Sequence, residues 1–262
     1  MLWLACLCNY ADRLAVPAIF PALRSEFHFT PVQLGLIGSA FMWVYALGAP
    51  LAGYLGDRLT RKNLIIGGCL GWSLVTGATA WCGRLWQFLA VRALVGAGET
   101  FYFPASMSLL SDYHGRRTRS TALSLHQSSV YAGTIAGSVA AGWMAERWGW
   151  RRGFFVFGAV GLAVALLLRR FLREPRRGAA EPETAPAPAP SLAFGEALRL
   201  TFRRPAAWLL MAAFFGANSV AAIFLTWMPT FLVDKFGYGL ARANLAATVF
   251  ISLASAAGGP PR

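Results

Sequence analysis

The stretch GYLGDRLTRKN, Gly53 to Asn63, separates two long apolar runs, 32–55 and 63–82. Each run reaches the roughly 20 residues needed to cross a bilayer. The junction between them is too short to be a domain linker and too polar to be buried in lipid. Its spacing is G-x-x-x-D-R-x-x-R-K. A bias of basic residues toward cytoplasmic loops explains Arg58, Arg61 and Lys62. It does not explain Gly53 and Asp57. An acid at a helix end can meet a helix N-terminus or an arginine. Gly53, Asp57, Arg58, Arg61 and Lys62 therefore read as a cytoplasmic gate that latches two helices.

Working outward, the same alternation recurs along the chain. Apolar runs lie at roughly 2–22, 32–55, 63–82, 86–111, 120–145, 153–172, 206–233 and 244–259, giving seven full spans and one incomplete one. The composition agrees. Of 262 residues 56% are hydrophobic and 13% charged, against about 25% charged in a soluble domain. The net charge of +13 does not point to nucleic acid, because the cations sit in short loops between apolar runs. With the N-terminus inside, the cytoplasmic loops collect Arg116, Arg117, Arg119 and the arginines from 169 to 204, and outnumber the outside loops about two to one. Cys6, Cys8, Cys69 and Cys82 lie in or beside apolar runs and read as small buried hydrophobes. Gly133, Gly137 and Ala141 recur at four-residue spacing, which lets helices approach closely.

The segment REPRRGAAEPETAPAPAPS, Arg173 to Ser191, is rich in Pro, Ala and charge and reads as a solvated linker. The expected division is a six-helix bundle over 1–172, a cytoplasmic linker over 173–205 and the start of a second bundle over 206–262. The second bundle stops near Gly259, before a cytoplasmic signature of its own. The chain therefore reads as C-terminally truncated: either a fragment of a roughly twelve-helix protein or a chain that needs a missing C-terminal half.

Four charges interrupt the apolar runs. CNYADRLAV, Cys8 to Val16, places Asp12 and Arg13 in the first span. RALVGAGETFYFPA, Arg92 to Ala105, places Arg92 and Glu99 in the fourth. A charge at the bilayer centre costs about 2.5–3.5 kcal/mol on insertion scales. Facing a shared polar cavity avoids that cost. Helical neighbours point about 100° apart, so Asp12 and Arg13 do not face each other. Each needs a partner across the bundle, and the fourth span offers Arg92 and Glu99. His126, Gln127 and Tyr131 in the fifth span, Tyr45 in the second and Asn218 in the seventh are further cavity candidates. An interhelical hydrogen bond is the alternative role for each.

These motifs resemble the major facilitator superfamily. Its cytoplasmic signature is G-x-x-x-D-R-x-G-R-K, and Thr60 stands where a glycine is usual. Two of its families compete. NYADR, Tyr45, GETFYFPA and FLTWMPTFL (224–232) are similar to the anion:cation symporters, which move sugar acids and other organic anions with protons. APLAGYLGDRLTRK, RALVGAGE and REPRRGAAE look like the spinster family, whose members move lysolipids or sphingoid phosphates. The resemblance implies an all-α membrane protein with the N-terminal six-helix half and the first one to two helices of the second. It implies that Asp12 and Glu99 couple protons. It implies that Arg13 and Arg92 hold an anion or switch conformation, with Tyr45 and Gln127 near the substrate. His126 and Asn218 join them as substrate-binding candidates from the residue reading.

The expected function is proton-coupled symport of a small organic anion by alternating access in the plasma membrane. The charges sum to zero, so a bound anion favours uptake of a proton by Asp12 or Glu99. A lysolipid transporter and a non-transporting membrane protein are the alternatives. No nucleophile–base pair, metal-ligand spacing or phosphate-binding glycine loop appears in the sequence, so an enzyme is not expected, and neither a cofactor nor a metal is required.

Overall fold

The computed structural model describes residues 1–180 and 193–257. The centre of the Pro-Ala-rich stretch, 181–192, and the last residues, 258–262, lie outside the described residues, as does the end of the eighth expected span. The order is α1 (Leu2–Ala18), α2 (Phe20–Phe27), α3 (Pro31–Arg58), α4 (Arg61–Ala78), α5 (Leu85–Thr100), α6 (Tyr102–Tyr113), α7 (Arg116–Trp148), α8 (Trp150–Phe171), α9 (Phe194–Phe202), α10 (Pro205–Phe236) and α11 (Leu240–Ala257). One 3₁₀ turn, Thr79–Trp81, extends α4.

Two expected spans are each broken into two helices, and proline explains both breaks. Pro104 cannot bond the carbonyl four residues back, and α5 ends at Thr100 with α6 opening at Tyr102. Pro17 and Pro21 do the same around Ile19, between α1 and α2. The start of α3 is set by a capping box: Thr30 Oγ1 accepts from the Gln33 backbone N–H, and Gln33 Oε1 accepts from that of Thr30. Gly237, at φ 65°, closes α10 in the left-handed region. One element was not expected. The stretch read as linker contains α9, a two-turn helix with Arg199 in its last turn.

Helices pair by backbone approach: α1 on α7, α3 on α5, α4 on α8. A Cβ on Gly133 would fall against the Leu7 carbonyl, and one on Gly137 against Ala11. On Gly158 it would lie 2.8 Å from the Gly77 Cα, and on Gly96 2.6 Å from the Phe41 carbonyl oxygen. This is small-residue packing, at Gly133 and Gly137 where the spacing predicted it and at Gly158 and Gly96 besides. The core divides into two apolar clusters. One gathers Cys6, Cys8, Trp72, Val95, Tyr102 and Leu168. The other gathers Ala15, Phe20, Leu34, Phe88 and Trp150. In α1 the break between them falls between Cys8 and Ala15, and in α5 between Phe88 and Val95. Asp12, Arg13 and Arg92 occupy that break. The apolar clusters thus frame a layer of charge.

Among the described residues four segments are long and apolar enough to cross a membrane: Pro31–Arg58, Arg61–Trp81, Trp150–Phe171 and Pro205–Phe236. The helices carrying the four charges, α1 and α5, are not among them. They depend on neighbours to cover polar groups.

Candidate functional site

The layer is built on α1, α3, α4 and α5. Arg13 Nε donates to Glu99 Oε2 at 2.6 Å. This joins the first and fourth spans, as the sequence anticipated for one of the two pairs. The other pair does not form. Asp12 Oδ2 instead accepts a long 3.5 Å hydrogen bond from Thr76 on α4. Arg92 stands within electrostatic reach of Asp12, Glu99 and Arg13 without bonding any of them. Arg92 is two turns before Glu99 on α5, roughly 10 Å along the helix axis, so the contact between Arg13 and Glu99 does not bring Asp12 onto Arg92.

Three of the four charges are sealed. Asp12, Arg92 and Glu99 are 3%, 4% and 0% exposed. The Arg13 side chain is 13% exposed, so it is the member that opens outward. Aromatic rings line its guanidinium: Tyr45 at 4.5 Å, Tyr10 at 4.7 Å and Phe41 at 5.1 Å. The Phe41 ring also lies 4.8 Å from Arg92. Two cations therefore share one aromatic ring, an arrangement worth about 0.5–2 kcal/mol per contact. The layer is under-partnered. Glu99 Oε1, Arg92 Nε and both side-chain polar atoms of Asn9 are buried with no hydrogen bond among the described residues. Asn9 sits beside Glu99 without forming a well-shaped bond to it. Buried unpaired polar atoms are costly and uncommon. A group that supplies both donors and acceptors would satisfy them.

Other expected site residues are dispersed. Tyr45 belongs to the layer. His126 is buried beside the Tyr102 and Phe103 rings, and neither ring nitrogen has a hydrogen-bond partner among the described residues. Gln127 and Tyr131 are exposed. Asn218 is exposed on α10, and its amide is spent on the Phe214 carbonyl four residues back. None of these three approaches the charge layer through any hydrogen bond or ring contact among the described residues. Sequence reasoning missed Asn9, Tyr10, Phe41 and Thr76. Asn9 had the clearest signal, being a polar residue one turn before Arg13.

The gate motif is rearranged relative to expectation. Asp57 is exposed and makes no hydrogen bond or ion pair among the described residues. Arg61 is the hub instead. It is 1% exposed and pairs with Asp112 at the end of α6 and, through Nε at 2.9 Å, with Glu174 after α8. It also donates to Ser108 at 3.0 Å and to the Pro175 carbonyl. Glu174 accepts the Lys62 backbone N–H at 2.7 Å. Arg177 caps the other side of the loop, donating to the carbonyls of Gly56 and Leu59. Arg58 covers the Tyr54 ring at 3.7 Å. Gly53 has open space around its Cα. The latch joins α4, α6 and the segment after α8, because a buried guanidinium with five donors can bind several acceptors where a carboxylate cannot.

A multi-pass helical bundle with a buried charge layer at mid-depth defines an integral membrane protein of polytopic type. Residues 2–261 match the Major Facilitator Superfamily. The chain belongs to that superfamily, whose members are transporters rather than enzymes. It is similar to protein spinster homolog 1 of Homo sapiens, at 33% identity over 230 residues, 87% of this chain and 44% of the relative. It is similar to probable anion transporter 4, chloroplastic, of Oryza sativa subsp. japonica, at 30% identity over 251 residues, 91% of this chain and 42% of the relative. The chain thus spans less than half the length of these curated relatives. A crystal structure of a bacterial homologue of the human lysosomal transporter Spinster, inward-facing and occupied, superposes with a TM-score of 0.80 at 24% identity. It covers 97% of this chain and 57% of that one. That likeness is one of fold. A spinster homologue and an anion transporter are thus both among its relatives.

Proposed function

We propose that this chain supplies the anion-binding, proton-coupled layer of a secondary transporter that moves a small organic anion. The carrying observation is the Arg13–Glu99 pair, closed on one side by buried orphan atoms and open only through Arg13. A carboxylate entering along the Tyr10–Tyr45 face would compete with Glu99 for Arg13, and its second oxygen could engage Arg92 across Phe41. Glu99 released in a water-poor site, beside Asp12 and a new negative charge, favours the protonated form. One anion and one proton then restore the neutral layer. Arg13 and Arg92 hold the anion in this reading, and Glu99 and Asp12 take the proton. Tyr45 sits at the substrate edge, with His126, Gln127 and Asn218 in outer positions. The division into a bundle over 1–172, a linker over 173–205 and a second bundle from 206, with the N-terminus cytoplasmic in the plasma membrane, completes the proposal.

A second reading has support from the 33% identity to a spinster homologue: the same cations would take the head group of a lysolipid. Binding to the purified chain separates them. Gluconate and a lysophosphatidylglycerol are titrated separately while a pH dye follows proton uptake. The first reading expects gluconate to bind with about one proton taken up per anion, the uptake lost in Glu99→Gln and affinity lost in Arg13→Ala. Saturable binding of the lysolipid alone would favour the second reading. Gluconate binding that survives Arg13→Ala would sink the first, and with neither ligand bound the non-transporting alternative stands.

A further inference from the structure

At the end of the bundle that carries Arg61, a groove of about 490 Å³ runs along the outer face of α4 and α8. Its volume lies within the range of about 300–1,000 Å³ common to small-ligand sites. Its lining residues are Lys62, Asn63, Ile66, Gly67, Leu70 and Arg169. None belongs to the Arg13–Glu99 layer. The chemistry along the groove is graded. Lys62 opens α4 and Arg169 lies in the last turn of α8, so antiparallel packing brings two cations to one end. Ile66 and Leu70 follow Lys62 at four-residue intervals and make an apolar track on the same helix face. Gly67 widens that track: a Cβ there would meet no atom within 4 Å.

The two cations are uncommitted. Neither the Lys62 ammonium nor the Arg169 guanidinium has a hydrogen-bond or ion-pair partner among the described residues, although both stand near the Arg61 network. The nearby Glu174 carboxylate is already shared between Arg61 and the Lys62 backbone.

We infer that this groove is a binding site for an anionic phospholipid of the surrounding membrane. The charge pattern selects the occupant. A phosphodiester would sit between Lys62 and Arg169, and Arg169 can bind two of its oxygens at once. The Asn63 amide would donate to the same group or to a glycerol hydroxyl. An acyl chain would descend over Ile66, Gly67 and Leu70. A zwitterionic lipid would bring its own cation against these two and lose the advantage. A soluble anion would leave the apolar track empty. Because the Arg61 network begins one residue from Lys62, the bound lipid would brace the α4 end of that network.

The test uses the whole chain in detergent micelles with an equimolar mixture of phosphatidylglycerol and phosphatidylcholine, read by native mass spectrometry. The wild type should retain phosphatidylglycerol about tenfold over phosphatidylcholine. The double variant K62A/R169A should retain the two lipids equally, and K62R/R169K should keep the preference. Gly67→Leu, whose Cβ meets no atom within 4 Å, should fill the track and lower retention of phosphatidylglycerol with both charges in place. Equal retention by the wild type, or a preference unchanged in K62A/R169A, would overturn the inference. So would displacement of the lipid by millimolar inorganic phosphate, which would mark a soluble-anion site. Failure here leaves the proposed anion layer untouched, since that is read by gluconate binding at Arg13.

Discussion

Two clusters of buried charge among the described residues differ in how completely they are satisfied. At the Arg61 end, one guanidinium meets two carboxylates, a hydroxyl and a carbonyl. At mid-bundle, four charges share a single strong bond, Arg13 to Glu99, and leave Glu99 Oε1 and Arg92 Nε unmatched. A saturated network gains little from a ligand and holds helices in place. An unsaturated one is costly in the empty protein, and a ligand can recover that cost. The same residue types thus serve as a fastener in one place and as a receptor in the other, and partner count separates the roles.

The comparison breaks first at Arg61. Arg61→Ala leaves Asp112 and Glu174 without their common partner and opens a void where a fully covered side chain stood. Losing one member of a buried pair costs about 3–5 kcal/mol. Unfolding of the chain in detergent, followed by circular dichroism, should show a loss near the lower end of that range, because both carboxylates are partly exposed. A loss under about 1 kcal/mol would mean the network is not a fastener.

Next in size is the seam that carries Asp12 and Arg13. Gly137→Ala would place a methyl group against the Ala11 backbone, which cannot rotate away as a side chain could. Overpacking of this kind costs about 1–3 kcal/mol. It should also shift α1 against α5, so proton-linked anion binding should weaken in proportion. Stability lost with binding intact would show that the layer tolerates movement of α1.

Much of this was legible in the sequence. The spans follow from the length of the apolar runs. Close pairing of α1 with α7 follows from Gly133, Gly137 and Ala141. The four layer charges stand out because lipid-facing charge is so unfavourable. What could not be read was partnership. Asp112 and Glu174 lie 51 and 113 residues from Arg61, and nothing local distinguishes them from other loop acids. Asp57 is in the right motif but is exposed and pairs with no cation among the described residues. Asp12 takes a hydrogen bond from Thr76 and no salt bridge to Arg92, an outcome of how α1, α4 and α5 are placed that no local motif reveals. The helix breaks at Phe101 and Ile19 were visible as prolines, but their consequences depend on which neighbouring helix covers the freed carbonyls.

A smaller effect is expected at the receptor itself. Glu99→Gln keeps the shape and one acceptor for Arg13 Nε. Its new amide N–H₂ can donate to the Asn9 side-chain oxygen, which has no partner now. The hydrogen bond is kept and the loss of one charge is partly offset, so stability should fall by less than the roughly 3–5 kcal/mol of a fully broken buried pair. Proton uptake on anion binding should disappear. This large change in function with a small change in stability is the reverse of Arg61→Ala. Comparable losses of stability in the two variants would erase the distinction between receptor and fastener.

The smallest effect lies outside the membrane-spanning segments, where charge pairs are exposed. At the opposite end from Arg61, Glu26 accepts from Trp150 Nε1 and from Arg151 Nη1, each at 2.6 Å. Partial burial pushes the Glu26 carboxyl up, and the hydrogen bonds from Trp150 and Arg151 outweigh it, holding the carboxyl below the usual glutamate range. A carboxyl held lower in the folded than in the unfolded chain stabilises above the unfolded pKa, and the contribution is lost as pH falls through the folded one. The melting temperature of the wild type should therefore exceed that of Glu26→Gln at neutral pH, with the gap closing as pH falls below about 4.3, the ordinary glutamate value. The gap should also shrink in high salt, since exposed pairs are screened. A salt-insensitive gap would place this pair with the Arg61 network, and partner count alone would no longer separate fasteners from ordinary surface charge.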